Sequence, residues 1–123
     1  CLQAGDPSAV TIEAVLRNKS VNGRPVRVQR LNRPQKSCHV VFSESGTAKR
    51  AAEIIEAVKG TPALTIGEGE PLMSAGGIIR ILRDGKKLAF EVNMDAASRA
   101  GLKVSSRLLA LGKITRDSLA QKR

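Results

Sequence analysis

Short strands and helices alternate in the hydrophobic and polar pattern of the first part of the chain. Residues 1–3 have the character of a strand end, and Asp6-Pro7 supplies an N-cap and a first helical residue for a helix over about residues 7–17. The pair Asn22-Gly23 then indicates a turn. Beyond it, apolar and polar residues alternate over 24–31, which predicts a strand with one face in water.

The middle of the chain carries the strongest helical pattern. Residues 38–42 form an apolar run interrupted by one histidine, as expected for a buried strand. Over 48–58, alanine, isoleucine and valine recur on one face, and Gly60 ends the predicted helix. A further short strand is predicted over 63–66, and the glycines and glutamates of 67–70 predict a loop after it.

A β-hairpin is predicted next. Residues 78–83 and 87–92 flank Asp84-Gly85, a pair typical of type I′ turns because both central residues need positive φ. That turn sets the expected pairs of the core face, which are Ile81 with Leu88, Ile79 with Phe90 and Gly77 with Val92. On the other face it pairs Arg80 with Ala89 and Ile78 with Glu91. Arg80 and Glu91 are then diagonal neighbours that could form a salt bridge.

Two short helices complete the predicted fold. Asn93 can cap a helix to about Ala100 that ends at Gly101, and Ser105 or Ser106 can cap the last helix. The elements together indicate an α/β fold, a mixed open sheet of about five to six strands flanked by helices, with a C-terminal β-hairpin followed by two short helices. With 123 residues the chain has the length of one domain.

Charge favours an anionic partner. The formal net charge is +10, and residues 17–36 hold seven basic residues and no acidic one. One candidate function is therefore a basic nucleic-acid-binding domain that acts through phosphate contacts. The chain has no Trp or Tyr, and Phe42 and Phe90 occupy predicted core positions, so no platform for base stacking is visible. A solvated basic face, or one that meets an acidic protein domain, is the alternative interpretation.

The residue types that carry enzyme chemistry are sparse. Cys38 and His39 are adjacent, but neighbours in a strand point to opposite faces, which argues against a nucleophile and its base. Two cysteines and one histidine fall short of the usual closed zinc site. Residues 67–70 lack the lysine and hydroxyl residue of a phosphate loop. We therefore expect no enzyme, no metal and no cofactor, and His39 has no assigned role.

The segment from Ser74 to Ile114 resembles the YfiR-like family of periplasmic regulatory proteins. The shared features are a glycine pair, a hairpin that ends in Phe-Glu-Val-Asn, an alanine-rich helix and a Gly-Leu-Lys-Val-Ser-Ser-Arg-Leu-Leu close. They correspond here to Gly76-Gly77, residues 90–93, Ala96-Ala97 and residues 101–109.

Earlier segments are similar as well. A cysteine on the first strand followed by Gly-Asp, a Val-Asn-Gly-Arg-Pro turn at 21–25 and a Cys-His-Val strand at 38–40 extend the resemblance over residues 1–114. Residues 115–123 form a basic tail. Family members normally begin with a signal peptide and an N-terminal helical segment, which are expected to be missing here, and the second cysteine pair of some members is absent.

The resemblance implies a function. A periplasmic repressor of this type binds the periplasmic sensor domain of an inner-membrane diguanylate cyclase and lowers cyclic di-GMP synthesis, which affects biofilm formation. A peptidoglycan-linked outer-membrane lipoprotein can sequester such a repressor, and a homodimer is a further expectation. A Cys1–Cys38 disulfide between neighbouring strands fits an oxidising compartment. The alternative is a lipid on Cys1, which would preclude that bond.

The expected partner surface centres on the hairpin and the helix that follows it. Glu91 either supports the fold by pairing with Arg80 or belongs to a surface with exposed apolar neighbours, and an apolar patch rimmed by charge is typical of a protein interface. The residues assigned to this surface are Ile78, Arg80, Leu82, Glu91, Gly101 and Leu102.

Overall fold

The fold is an α/β sheet with helices on both faces. A computed structural model describes residues 1–44 and 47–115. The strands are β1 (Leu2–Gln3), β2 (Ser20–Val21), β3 (Arg24–Pro25), β4 (Arg30–Leu31), β5 (Val40–Ser43), β6 (Leu64–Glu68), β7 (Ile79–Asp84), β8 (Lys87–Asn93) and β9 (Lys113–Thr115). The helices are α1 (Ser8–Leu16), α2 (Ala48–Val58), α3 (Glu70–Ala75), α4 (Met94–Arg99) and α5 (Ser106–Leu111).

Seven strands form the main sheet, in the order β4-β1-β5-β6-β7-β8-β9. The first five run parallel, β8 is antiparallel to β7, and β9 is parallel to β8. The strands β2 and β3 form a separate two-stranded ribbon. The predicted mixed sheet flanked by helices is confirmed, and most of its pairing is between strands far apart in the sequence.

Apolar side chains collect in two cores. Residues of α2 and α3 form the first core with side chains near β1 and β5, and residues of α4 and α5 belong to the second with side chains of β6, β7 and β8. The buried members of the first are Cys38, Val41, Ala51, Ile54, Val58, Ala63 and Leu72. Those of the second are Ile78, Ile79, Val92, Ala96 and Ala97. Because side chains alternate across a strand, β7 directs Ile79 to the second core and Arg80 to the face that carries α3.

Local capping explains why three helices begin as predicted. The Thr47 hydroxyl accepts a hydrogen bond from the Arg50 amide at the start of α2 (3.2 Å), and the Asn93 side chain accepts one from the Ala96 amide at the start of α4 (3.0 Å). The Ser105 hydroxyl does the same for α5. Each bond satisfies one of the amides that the first turn of a helix leaves without a partner.

The prediction that Asp6 caps α1 is wrong. Pro7 occupies the N-cap position in a helical conformation, and its side chain makes no capping hydrogen bond. The Asp6 carboxylate instead accepts a hydrogen bond from the Glu44 amide (2.8 Å) at the end of β5. Asp6 and Glu44 meet because β1 and β5 are parallel neighbours, so the residues that follow the two strands lie side by side.

The predicted strand over 24–31 is divided in two. Its first part, β3, pairs antiparallel with β2 around Asn22-Gly23, whose φ angles of +51° and +78° fit the expected turn. Its last part, β4, runs parallel to β1 in the main sheet. The two ladders lie in different sheets, so one continuous strand cannot belong to both. The residues between β3 and β4 therefore belong to neither strand.

Residues 67–70 are not a loop. The strand β6 extends to Glu68, and α3 begins at Glu70 with Gly69 (φ +91°) as the connecting residue. Close packing explains the glycines nearby: a Cβ on Gly67 would lie 2.5 Å from Leu72 Cδ2, and one on Gly77 would lie 2.8 Å from the Leu72 carbonyl oxygen. Gly77 thus allows a close approach to the backbone of α3.

The hairpin register differs from the prediction by two residues. Asp84 pairs with Lys87, so the central turn residues are Gly85 (φ +62°) and Lys86 instead of Asp84 and Gly85. A shift of two keeps every side chain on its predicted face but changes its partner. The observed pairs are Ile79 with Val92, Arg80 with Glu91, Ile81 with Phe90, Leu82 with Ala89 and Arg83 with Leu88. The end of the core face is consequently open to solvent, where Leu88 is 67% exposed.

Candidate functional site

The predicted salt bridge between Arg80 and Glu91 is present. The two residues lie directly opposite each other in the β7–β8 ladder, and Glu91 Oε1 is 3.3 Å from Arg80 Nη1. Glu70, at the first position of α3, pairs with the same nitrogen. The Ser74 hydroxyl, one turn further along α3, donates to Glu70 Oε1 (2.9 Å) and orients that carboxylate. Two glutamates therefore share one guanidinium, and we call Glu70, Arg80 and Glu91 the ion cluster.

Burial is graded across the ion cluster. The side chain of Glu91 is 12% exposed, that of Arg80 26%, and that of Glu70 62%. A carboxylate as enclosed as Glu91 loses hydration that Arg80 must replace, whereas Glu70 keeps most of its contact with water. Within the described part of the chain, Arg80 Nε is buried and has no hydrogen-bond partner. Arg80 is thus held mainly through Nη1, and Glu91 depends on it.

Ile78 is buried, with 3% of its surface exposed, so the prediction of an exposed apolar neighbour is wrong for this residue. The register provides the reason: Ile78 precedes the β7–β8 ladder, its amide donates to Thr65 Oγ1 (3.0 Å), and its side chain enters the second core. Leu82 lies on the same face as Arg80, opposite Ala89, and is half-buried.

Gly101 and Leu102 lie at the end of α4. Gly101 is exposed, has a φ of +74° and ends the helix as predicted. The Leu102 amide donates to the Ala97 carbonyl (2.9 Å), and its side chain packs half-buried against the second core. The predicted surface residues consequently fall into two groups. Arg80, Leu82 and Glu91 share the α3 face of the hairpin, whereas Leu102 packs with the core on the opposite face.

Cys1 and Cys38 form a disulfide with a Cα–Cα distance of 5.8 Å, as the sequence predicted. Both residues belong to the first core, where Cys38 is buried. Both sulfurs are consumed by this bond, so neither is available as a nucleophile or metal ligand while it is intact. His39 falls within the buried strand predicted over 38–42, but it is exposed and precedes β5, which begins at Val40.

Every basic residue of 17–36 is exposed. Among the residues that the structure describes, Arg30 is the one member of this group with an ion pair, to Glu13 of α1 (3.0 Å). Phe42 and Phe90 are half-buried, and no other aromatic residue exists that could stack on a base. The described chain thus presents a basic surface without an aromatic one.

Within residues 1–44 and 47–115, no three His, Cys, Asp or Glu side chains are grouped as a metal ion would need. None of the helices in the same ranges combines the length and apolar character needed to cross a membrane.

Sequence reasoning missed Glu70 as a member of the ion cluster. The glycine-glutamate alternation of 67–70 indicated a loop, whereas Pro71 at an early helical position was the local signal for a helix that begins at Glu70. Comparison with known protein families finds a match over residues 1–113 to a family model described as YfiR/HmsC-like.

Proposed function

We propose, because the chain belongs to the YfiR/HmsC-like family, that it is a negative regulator which binds the periplasmic sensor domain of an inner-membrane diguanylate cyclase. Proteins of this family regulate cyclic di-GMP signalling from the periplasm and are not enzymes. Binding represses cyclic di-GMP synthesis and so affects biofilm formation. The family match over residues 1–113 is the observation that carries this proposal.

The disulfide supports the proposed location. A bond between Cys1 and Cys38 persists in oxidising compartments such as the periplasm and is rare in the cytosol, where thiols are kept reduced.

Repression in this proposal is a shift of population. The cyclase sensor domain exchanges between an active and an inactive state, and the repressor binds the inactive state more tightly. Its effect cannot exceed the difference between its affinities for the two states. Neither a cofactor nor a chemical step is needed.

For the contact surface we propose the α3 face of the hairpin, with Arg80, Leu82 and Glu91. Gly101 and Leu102, at the end of α4 on the opposite face, would form a second, separate contact. Leu82 supplies apolar area beside charged residues, the combination found at protein interfaces. Arg80 and Glu91 fix the shape of this face through the ion cluster.

Calorimetric titration of the purified, oxidised chain with the purified sensor domain of its cognate cyclase tests the function. We expect saturable binding, together with inhibition of the reconstituted full-length cyclase. If no heat of binding appears under oxidising conditions and cyclic di-GMP synthesis is unchanged, the proposal is wrong.

A pair of leucine variants tests the surface separately. We expect Leu82→Ser to weaken binding about tenfold, as loss of an apolar interface contact does. Leu88→Ser is the matched control, because Leu88 lies on the opposite face of the same hairpin and is largely exposed. Equal affinities for both variants would place the contact elsewhere while leaving the function intact.

Two further partners belong to the proposal. A peptidoglycan-linked outer-membrane lipoprotein would compete with the cyclase for the repressor, so adding it should restore cyclic di-GMP synthesis in the reconstituted system. A homodimer would double the mass measured by light scattering, with a dependence on protein concentration.

A further inference from the structure

The outward face of α1 has an unusual composition for a helix on a protein surface. The helix buries Ala9, while its exposed positions, Val10, Thr11, Ala14 and Val15, carry no charge. Val10 and Val15 are each 62% exposed. Surface helices normally place charged and polar residues on this side. The helix thus displays aliphatic groups to solvent where a stability requirement alone would favour lysine or glutamate.

The β2–β3 ribbon, which follows α1 in the chain, also exposes an apolar side chain and adds charge. Val21 is 63% exposed and pairs directly with Arg24, so the two side chains share one face of the ribbon. The Lys19 amide donates to the Leu16 carbonyl (3.1 Å) at the end of α1, and the Val26 amide donates to the Lys19 carbonyl (2.9 Å) across the base of the ribbon. The ribbon is therefore joined directly to the end of α1.

Four basic residues lie in the same segment of the chain as the exposed valines. They are Arg17, Lys19, Arg24 and Arg27, all exposed and, within the described chain, all without an ion pair. The nearby carboxylate of Glu13 is already engaged by Arg30. We call Val10, Val15, Val21 and these four basic residues the α1–ribbon surface. Its charge is of one sign, and no carboxylate of residues 1–44 and 47–115 forms an ion pair with it.

We propose that the α1–ribbon surface docks on the anionic headgroups of a lipid bilayer. Flexible basic side chains suit a diffuse layer of phosphate groups, and short aliphatic side chains that are largely exposed can enter the headgroup region. The charge complementarity between four unpaired cations and an anionic leaflet carries the assignment, and the valines add a smaller apolar contribution.

Other occupants fit less well. A second copy related by twofold symmetry would place each basic cluster against another, and like charges at an interface repel. A protein interface generally has a well-packed apolar core that is depleted of charged residues, with polar and charged groups at its rim. This surface has one sign of charge and separate protruding valines. The proposal is independent of the cyclase and goes beyond it, since it concerns where the protein resides while it waits for a partner.

Vesicle co-sedimentation with the oxidised full chain tests the proposal. We expect the chain to pellet with phosphatidylcholine vesicles that contain about 30 mol % phosphatidylglycerol, and to stay in the supernatant with phosphatidylcholine alone. Binding should weaken steeply as salt rises, because the attraction is electrostatic. At about fivefold per basic residue, the variant Lys19→Gln/Arg24→Gln/Arg27→Gln should lower the partition constant on the order of 100-fold.

A matched variant controls for net charge. Lys86→Gln/Lys103→Gln/Arg107→Gln removes three exposed cations at other places in the fold and should change partitioning much less. Val10→Ala/Val15→Ala should lower it about fivefold through lost apolar contact, while alanine keeps α1 helical. Circular dichroism confirms that each variant is folded.

Three results would overturn the assignment. Two of them are equal sedimentation with neutral and anionic vesicles, and an equal loss in both triple variants. The third is a combination of two observations: the unaltered chain does not bind vesicles, and the Lys19→Gln/Arg24→Gln/Arg27→Gln variant has a lower affinity for the cyclase sensor domain. That result would give the surface to a protein partner and would leave the proposed repressor function standing.

Discussion

Glu44, which directly follows strand β5, binds Ser8 at the N-terminus of α1. Its Oε2 atom accepts hydrogen bonds from the Ser8 amide (2.9 Å) and from the Ser8 hydroxyl (2.6 Å). A carboxylate at this end of a helix satisfies an otherwise unpaired amide and interacts favourably with the helix dipole. The helix that presents Val10 and Val15 to solvent is thus fastened to the sheet at its first turn.

We expect Glu44→Ala to loosen α1 without unfolding the sheet. Loss of a charged cap costs about 1 to 2 kcal/mol, which should appear as faster amide hydrogen exchange in residues 8–16. Exchange within α2 should stay unchanged. Glu56→Ala, which alters an exposed residue of α2, is the control. Unaltered protection of α1 in Glu44→Ala would show that other contacts hold this helix.

The ion cluster makes an asymmetric prediction about stability. Replacing Arg80 by methionine leaves the enclosed Glu91 carboxylate without its cation, so we expect the free energy of unfolding to fall by about 3 kcal/mol. Glu70→Gln should cost less than about 1 kcal/mol because Glu70 is largely exposed. Urea denaturation of the two variants measures both values.

The joint replacement Arg80→Met/Glu91→Leu serves as a check on that reasoning. It removes the buried charge and the cation together, so it should recover much of the loss that Arg80→Met causes. A double variant as unstable as the single one would mean that packing of the arginine stem, and not the uncompensated charge, dominates.

Removal of the disulfide should lower stability substantially. For a separation of 37 residues, the loss of chain entropy in the unfolded state corresponds to about 4 kcal/mol. We expect the Cys1→Ser/Cys38→Ser variant to show a lower urea midpoint, and reduction of the unaltered protein to have a similar effect. A midpoint that reductant does not move would contradict this account.

The two glycines Gly77 and Gly60 should respond differently to alanine. At Gly77 a methyl group would meet the Leu72 carbonyl oxygen, a backbone atom that cannot turn away, so we expect a loss of about 3 kcal/mol. Gly60 has open space around it and a φ of +81°, so Gly60→Ala should cost about 1 kcal/mol. Thermal unfolding compares them, and equal losses would contradict the close approach.

Features decided within a few residues could be predicted from the sequence. The helices α2 and α4 begin where Thr47 and Asn93 offer side-chain caps, and the face of each hairpin residue follows from alternation. Features that depend on distant partners could not. The carboxylate of Asp6 was assigned to its own helix because no local pattern reveals that β5 ends beside it.

The hairpin shows the same limit at shorter range. Asp84-Gly85 and Gly85-Lys86 are both acceptable turn centres, and the choice between them is made by which residues fit the cores. In the observed register Ile78, Ile79 and Val92 are all buried in the second core, which also contains residues of α4. The turn therefore depends on packing against a helix outside the hairpin. For the candidate site, the Arg80–Glu91 ion pair was predicted, although between diagonal and not directly opposite residues. Pro71 signals the helix that begins at Glu70, but no local pattern reveals that Glu70 reaches Arg80.

The Cys1–Cys38 bond turns the first third of the chain into a covalent ring that contains α1 and the β2–β3 ribbon. A protease that cuts once inside this ring cannot release a fragment, since both cut ends remain attached through sulfur. The α1–ribbon surface would stay with the sheet after such a cut, and the nicked protein would migrate as one molecule until a reductant opens the ring.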